Sequence, residues 1–158
     1  MINLTRSEPI NCPDEERLTR TQVWEGLVLK GLDGTPFVKD MTSCRVLERT
    51  ENEIVREIVL RGETFQERVT LQPESKGRTY RLSGPVMGVL ENVIEEDEDG
   101  GLHLRFNYEL QLEGVKAGSA EEEEFRRKIE ADLDSVRATI DKIRELAASG
   151  EIAAPATR

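Results

Sequence analysis

The sequence predicts an α+β domain in which an antiparallel sheet of seven strands is covered by one long C-terminal helix. Three observations predict it. Period-two segments dominate the middle of the chain. The cleanest is Leu102–Leu112, where Leu102, Leu104, Phe106, Tyr108, Leu110 and Leu112 point one way and the residues between them the other. The chain then closes on an amphipathic stretch near Ser119–Ser149, the only element long enough to cover an apolar sheet face.

The elements follow in order. Met1–Asn11 alternates weakly through Ile2 and Leu4 and suits an edge strand. Thr19 and Gln22 form a capping box, with Leu18 and Val23 as its hydrophobic staple, so a helix starts there with the stripe Val23, Trp24, Leu27 and Val28. Asp33-Gly34 ends it. Thr35-Pro36 resembles an N-cap followed by a first-turn proline and predicts a second short helix over Phe37–Met41. Strands are then expected over Cys44–Thr50, Ile54–Leu60, Phe65–Leu71, Arg78–Leu82 and Val86–Glu95, separated by turn-forming residues such as Arg61-Gly62 and Ser83-Gly84-Pro85. Ser119 and Glu122 make a second capping box, with four glutamates from Glu121 in the first turn, where the helix dipole favours negative charge. The final stripe is Phe125, Ile129, Leu133, Val136, Ile140 and Ile143. Residues 1–149 form one domain in this reading, and 150–158 a flexible tail.

Composition narrows the function. The formal net charge of −10 argues against nucleic-acid partners and anionic membrane surfaces, which both require a positive footprint. No apolar stretch is long enough to insert in a membrane, so a cytoplasmic protein is the expectation. Cys12 and Cys44 lack metal-ligand spacing and are read as reduced and structural. Glu95–Gly101 superficially resembles a calcium loop, but aligning Gly100 with the required glycine puts Phe106 where the bidentate glutamate belongs. His103, the single histidine, falls on the polar face of its strand, which removes the commonest general base from the interior. No metal, cofactor or catalytic residue is expected.

The sharper signal is charge on otherwise apolar strand faces. Ile54, Arg56, Ile58 and Leu60 share one face, as do Phe65, Glu67, Val69 and Leu71. A two-residue turn at Arg61-Gly62 puts Arg56 opposite Glu67, and a four-residue turn puts them diagonal. The pair is either a structural ion pair, the commoner outcome, or a polar anchor for a ligand head group. Tyr80, Asn92 and Tyr108 are weaker candidates of the same kind. Phe106, Ile129, Leu133 and Val136 complete the expected binding surface.

The stretches Leu18–Val38, Glu67–Pro73, Asn92–Leu110 and the closing helix carry a resemblance. Together they resemble the helix-grip superfamily of START domains, birch-pollen-type allergens and polyketide cyclase-like proteins (SRPBCC). The nearest likeness is to a family of unknown function named for a protein of the acetylaranotin biosynthesis cluster. The resemblance implies a sheet wrapped on the last helix and an internal cavity for an apolar or amphipathic molecule. It carries over no catalytic residues. The leading expectation is therefore a carrier or sensor of a small hydrophobic ligand. The alternatives are a cyclase- or hydratase-like enzyme acting on a polyketide-like substrate, with Glu67 or a tyrosine as acid or base, and a homodimeric interaction module using a sheet edge.

Overall fold

The computed structural model describes residues 1–154. Its strands are β1 (Ile2–Pro9), β2 (Met41–Arg49), β3 (Glu53–Leu60), β4 (Glu63–Gln72), β5 (Lys76–Ser83), β6 (Val86–Glu96) and β7 (Leu102–Leu112). They form one sheet of seven strands in the order β1-β7-β6-β5-β4-β3-β2, and every pairing is antiparallel. Helix α1 (Arg20–Leu32) links the two edge strands, and α2 (Ala120–Asp132) and α3 (Ser135–Ser149) close the chain. The architecture is the α+β helix-grip.

Strand alternation decides which side chains meet the helices. In β7, Leu104, Phe106, Tyr108 and Leu110 are buried. They join Ile54 and Ile58 of β3, Phe65, Val69 and Leu71 of β4, and Ile94 of β6 in a single core. His103 lies on the opposite face, 2.9 Å from Asp97 Oδ2. The β3–β4 connection is a two-residue turn: Leu60 pairs with Glu63, while Arg61 (φ 50) and Gly62 (φ 79) supply the positive dihedrals that a type I′ hairpin requires.

The capping box at Thr19–Gln22 is complete. At Ser119 only half of the expected box forms. The hydroxyl accepts from Glu122 N, but Glu122 Oε1 accepts from Gly118 N instead. Gly26 lets α1 approach α3 closely, because a Cβ there would overlap Ile143.

Three expectations need correction. The second short helix is only a hydrogen-bonded turn, with Phe37 N and Val38 N both donating to Gly34 O. Proline can open a helix, but this stretch offers few buried side chains to hold a second turn. The long closing helix is present from Ala120 to Ser149, but a break divides it into α2 and α3. At Leu133 and Asp134 the amides donate to Glu130 O and Ala131 O, a 3₁₀ tightening where the buried Leu133 anchors the path. Finally, Ile152 lies in the expected flexible tail yet is 1% exposed, and its amide donates to Leu146 O. Residues 155–158 of that tail lie outside the described residues.

Candidate ligand-binding cavity

A cavity of about 960 Å³ lies between the sheet, α1 and α2. Ile58, Phe65, Leu90, Leu110 and Ile129 are among its apolar lining. Lys39, Glu63, Glu113 and Lys128 also line it and are exposed, so the cavity reaches solvent at that end. Its size falls within the usual range for small-molecule sites.

The inner end is polar. Arg56 and Glu67 are directly opposite across β3 and β4, and both are buried. Arg56 Nε and Nη2 lie 3.0 and 2.9 Å from Glu67 Oε1. Arg56 Nη1 also donates to the carbonyls of Lys30 and Gly31, at 3.0 and 2.9 Å, which ties the sheet to the C-terminal turn of α1. Arg81 of β5 takes the other carboxylate oxygen, with Nε 3.2 Å from Glu67 Oε2. A register shift between Gln66 and Glu67 brings Arg81 opposite Glu67.

Lys30 enters the same cluster from α1. Its Nζ donates to Asn92 Oδ1 at 2.7 Å and sits 4.2 Å from the centre of the Phe106 ring. The residue as a whole is half-buried. Burial, then the neighbouring Arg56 charge, lower the Lys30 pKa to about 7 against an opposing pull from Glu67. Tyr108 lines the cavity and stacks on Phe106 at 6.4 Å. Burial raises its phenol pKa, opposed by a hydrogen bond with Ser135.

Of the residues expected from sequence, Arg56, Glu67, Asn92, Tyr108 and Ile129 line the cavity. Phe106, Leu133 and Val136 are buried in the core and do not line it. Tyr80 is on the other side of the sheet. Gly77, Thr79 and Arg81 face the cavity, and alternation turns Tyr80 outward, where its ring lies 5.2 Å from the Arg78 guanidinium. Sequence reasoning missed Lys30 and Arg81. The first had a signal: Val23, Leu27 and Lys30 recur at helical spacing, so a charge interrupts the apolar stripe of α1.

A family model described as acetylaranotin biosynthesis cluster protein L matches residues 4–150. The chain belongs to that family. No curated protein sequence matches it. Among solved structures, this family member is similar to the Zhui aromatase/cyclase from Streptomyces sp. R1128, with a TM-score of 0.65 at 19% identity over 99% of both chains. It is also similar to XoxI from Bacillus cereus, with a TM-score of 0.65 at 16% identity over 92% of this chain and 98% of that one. Ara h 8.0201 matches with a TM-score of 0.54 at 10% identity, over 91% and 98%. These likenesses establish a shared helix-grip fold. Among the described residues, no helix is long and apolar enough to cross a membrane.

Proposed function

We propose that the protein binds a small hydrophobic or amphipathic molecule in this cavity, as a carrier or sensor. The observation that carries the reading is a cavity with apolar walls and a polar cluster buried at its inner end. Burial of the ligand's apolar part supplies affinity, and the few polar groups orient it. The cluster sets two guanidiniums, Arg56 and Arg81, on the carboxylate of Glu67, with the Lys30 amine beside them as a further donor. Such a site favours a head group rich in oxygen acceptors. We place the protein in the cytoplasm as part of this proposal, in keeping with Cys12 and Cys44 being unpaired.

Native mass spectrometry of the purified protein, looking for a co-purifying small molecule, tests the reading. Thermal melting with an apolar carboxylic acid and with its uncharged alcohol extends it. A ligand that binds only the folded state raises Tm, and the acid is expected to raise it more. Failure of both to shift Tm, with no co-purifying molecule, overturns the proposal.

A second reading has its own support. Five polar side chains gather at the inner end (Lys30, Arg56, Glu67, Arg81 and Asn92), more than simple binding requires, and the Zhui neighbour is an aromatase/cyclase. A cyclase- or hydratase-like activity on a polyketide-like substrate fits that convergence. Turnover of a poly-β-carbonyl probe by the wild type but not by Arg81→Leu would separate it from carriage.

A further inference from the structure

We propose that Lys30 is a carbonyl-capturing amine, which condenses with an aldehyde or ketone group of the cavity's occupant to form an imine. The inference rests on the binding reading and adds a chemical class of ligand to it.

The geometry carries the argument. A lysine in a cavity is normally held as an ammonium by a carboxylate. Here the inner-end carboxylate, Glu67, is engaged on both oxygens, by Arg56 at Oε1 and by Arg81 at Oε2. Among the described residues Lys30 has neutral partners alone, Asn92 Oδ1 at 2.7 Å and the face of Phe106 at 4.2 Å. The Arg56 guanidinium is fixed against the backbone carbonyl of Lys30 itself, and its permanent charge disfavours a second cation on the amine. Desolvation together with a neighbouring cation is the recognised way to leave a lysine unprotonated and nucleophilic. The lowering to about 7 agrees in direction, with burial as its main cause and Arg56 next. At neutral pH a substantial fraction of such amines carry a free lone pair, against about one in three thousand for an ordinary lysine.

An apolar occupant that fills the cavity would keep bulk water from the imine and so slow its hydrolysis. In the step itself, the Nζ lone pair attacks the carbonyl carbon and the C=O π pair moves to oxygen, which takes up a proton. The carbinolamine then expels that oxygen as water and loses its remaining N–H proton, leaving C=N. One water is released for each imine formed, and no oxidant or reductant is consumed.

The test uses the full chain with naphthaldehyde as an apolar carbonyl probe, trapped at pH 7 by cyanoborohydride, which delivers hydride to the imine carbon. Naphthylmethanol, which cannot condense, reports cavity occupancy separately through Tm. Peptide mapping then ranks labelling at Lys30, at the α-amine and at the five other lysines (39, 76, 116, 128 and 142). The expected result is labelling at Lys30 at least tenfold faster than at any other amine, with the excess lost in Lys30→Arg and Lys30→Met. Competition by naphthylmethanol should slow the Lys30 product and leave α-amine labelling unchanged. If naphthylmethanol binds but label appears only on the α-amine and the other lysines, the carbonyl-capture proposal is overturned and the binding reading stands. If naphthylmethanol does not bind and Lys30 stays unlabelled, both fall. Should either variant fail to fold, wild-type site mapping with competition still decides the question.

Discussion

At the inner end of the cavity, each charged side chain has a partner within the fold. At the mouth, the ion pairs are open to solvent. Arg56, Glu67 and Arg81 have side chains 2–9% exposed, and Lys30 is held by Asn92. At the mouth, Arg61 pairs with Asp40 and Asp132, with exposures of 28–45%. The covering helices divide in the same way. Helix α3 buries Val136, Thr139, Ile140 and Ile143, whereas α2, which roofs the mouth, buries only Ile129. The contrast indicates where free energy resides: in the inner end, which sets the shape of the site, rather than in the mouth, which an incoming ligand must pass.

The contrast is most strained by attacking Glu67. Glu67→Gln leaves two buried guanidiniums facing each other without a counter-charge, and removing one partner of a buried ion pair costs about 3–5 kcal/mol. Arg56→Met alone should also be costly, since the carboxylate keeps only Arg81. The double variant should lose clearly less than the sum, as read from a double-mutant cycle on unfolding free energy. Additivity would mean that the inner cluster is not coupled, and the distinction between the two ends would lose its basis.

Next in size is the contrast between the two helical segments. Ile143 is 0% exposed and packs against Gly26 of α1. Ile143→Ala should cost about 2–5 kcal/mol through lost burial and a residual cavity. Phe125 of α2 is half-buried and lines the ligand cavity, so Phe125→Ala deletes surface that already faces a void. Its cost should be well under that of Ile143→Ala in denaturant unfolding, with its larger effect on ligand affinity. Equal costs would show α2 to be as fixed as α3.

Lys30 sharpens the comparison through pH. Its pKa falls from 10.5 in the unfolded chain to about 7 in the fold. Between those values the unfolded state binds more protons, so this group's contribution to stability rises with pH across that window and is poorest below about 7. Lys30→Met removes the dependence. The variant should gain on the wild type below neutrality, by on the order of a few kcal/mol at most after discounting for partial exposure. The gain should shrink steadily toward pH 10. A difference that does not vary with pH would mean that the amine titrates normally.

Much of this was legible in the sequence, and the misses have physical causes. β7 was read to the residue because its alternation is complete. The Arg56–Glu67 pairing was readable because one charge interrupts each of two apolar faces beside a Gly-containing turn. β5 misled because its apolar residues, Tyr80 and Leu82, both point outward, while the inward Thr79 and Arg81 look like a solvent face. Lys30 was overlooked because long side chains at helix ends usually snorkel to water. Here Asn92 and Phe106, from strands distant in sequence, meet it instead. The break at Leu133-Asp134 left no mark, since the apolar spacing continues through it and no glycine or proline stands there.

The smallest stability effect belongs at the mouth, where Asp132 joins the end of α2 to Arg61 on the β3–β4 turn. Partial exposure keeps such a pair near 0–1 kcal/mol. Arg61 also keeps Asp40, with Nε 3.3 Å from Oδ2. Asp132→Asn should therefore lower unfolding free energy by less than about 1 kcal/mol, an effect that added salt shrinks further. Its consequence for exchange should be larger than for stability. This ion pair is a charged link between the roof and the sheet at the solvent end, so weakening it should speed both entry and release of a bound probe by a few fold. Because both rates rise together, Kd should change little. Stopped-flow association and dissociation of a fluorescent apolar acid would measure this. A release rate that stays at the wild-type value would mean that the ligand does not leave past Asp132, and that the mouth lies elsewhere along the cavity.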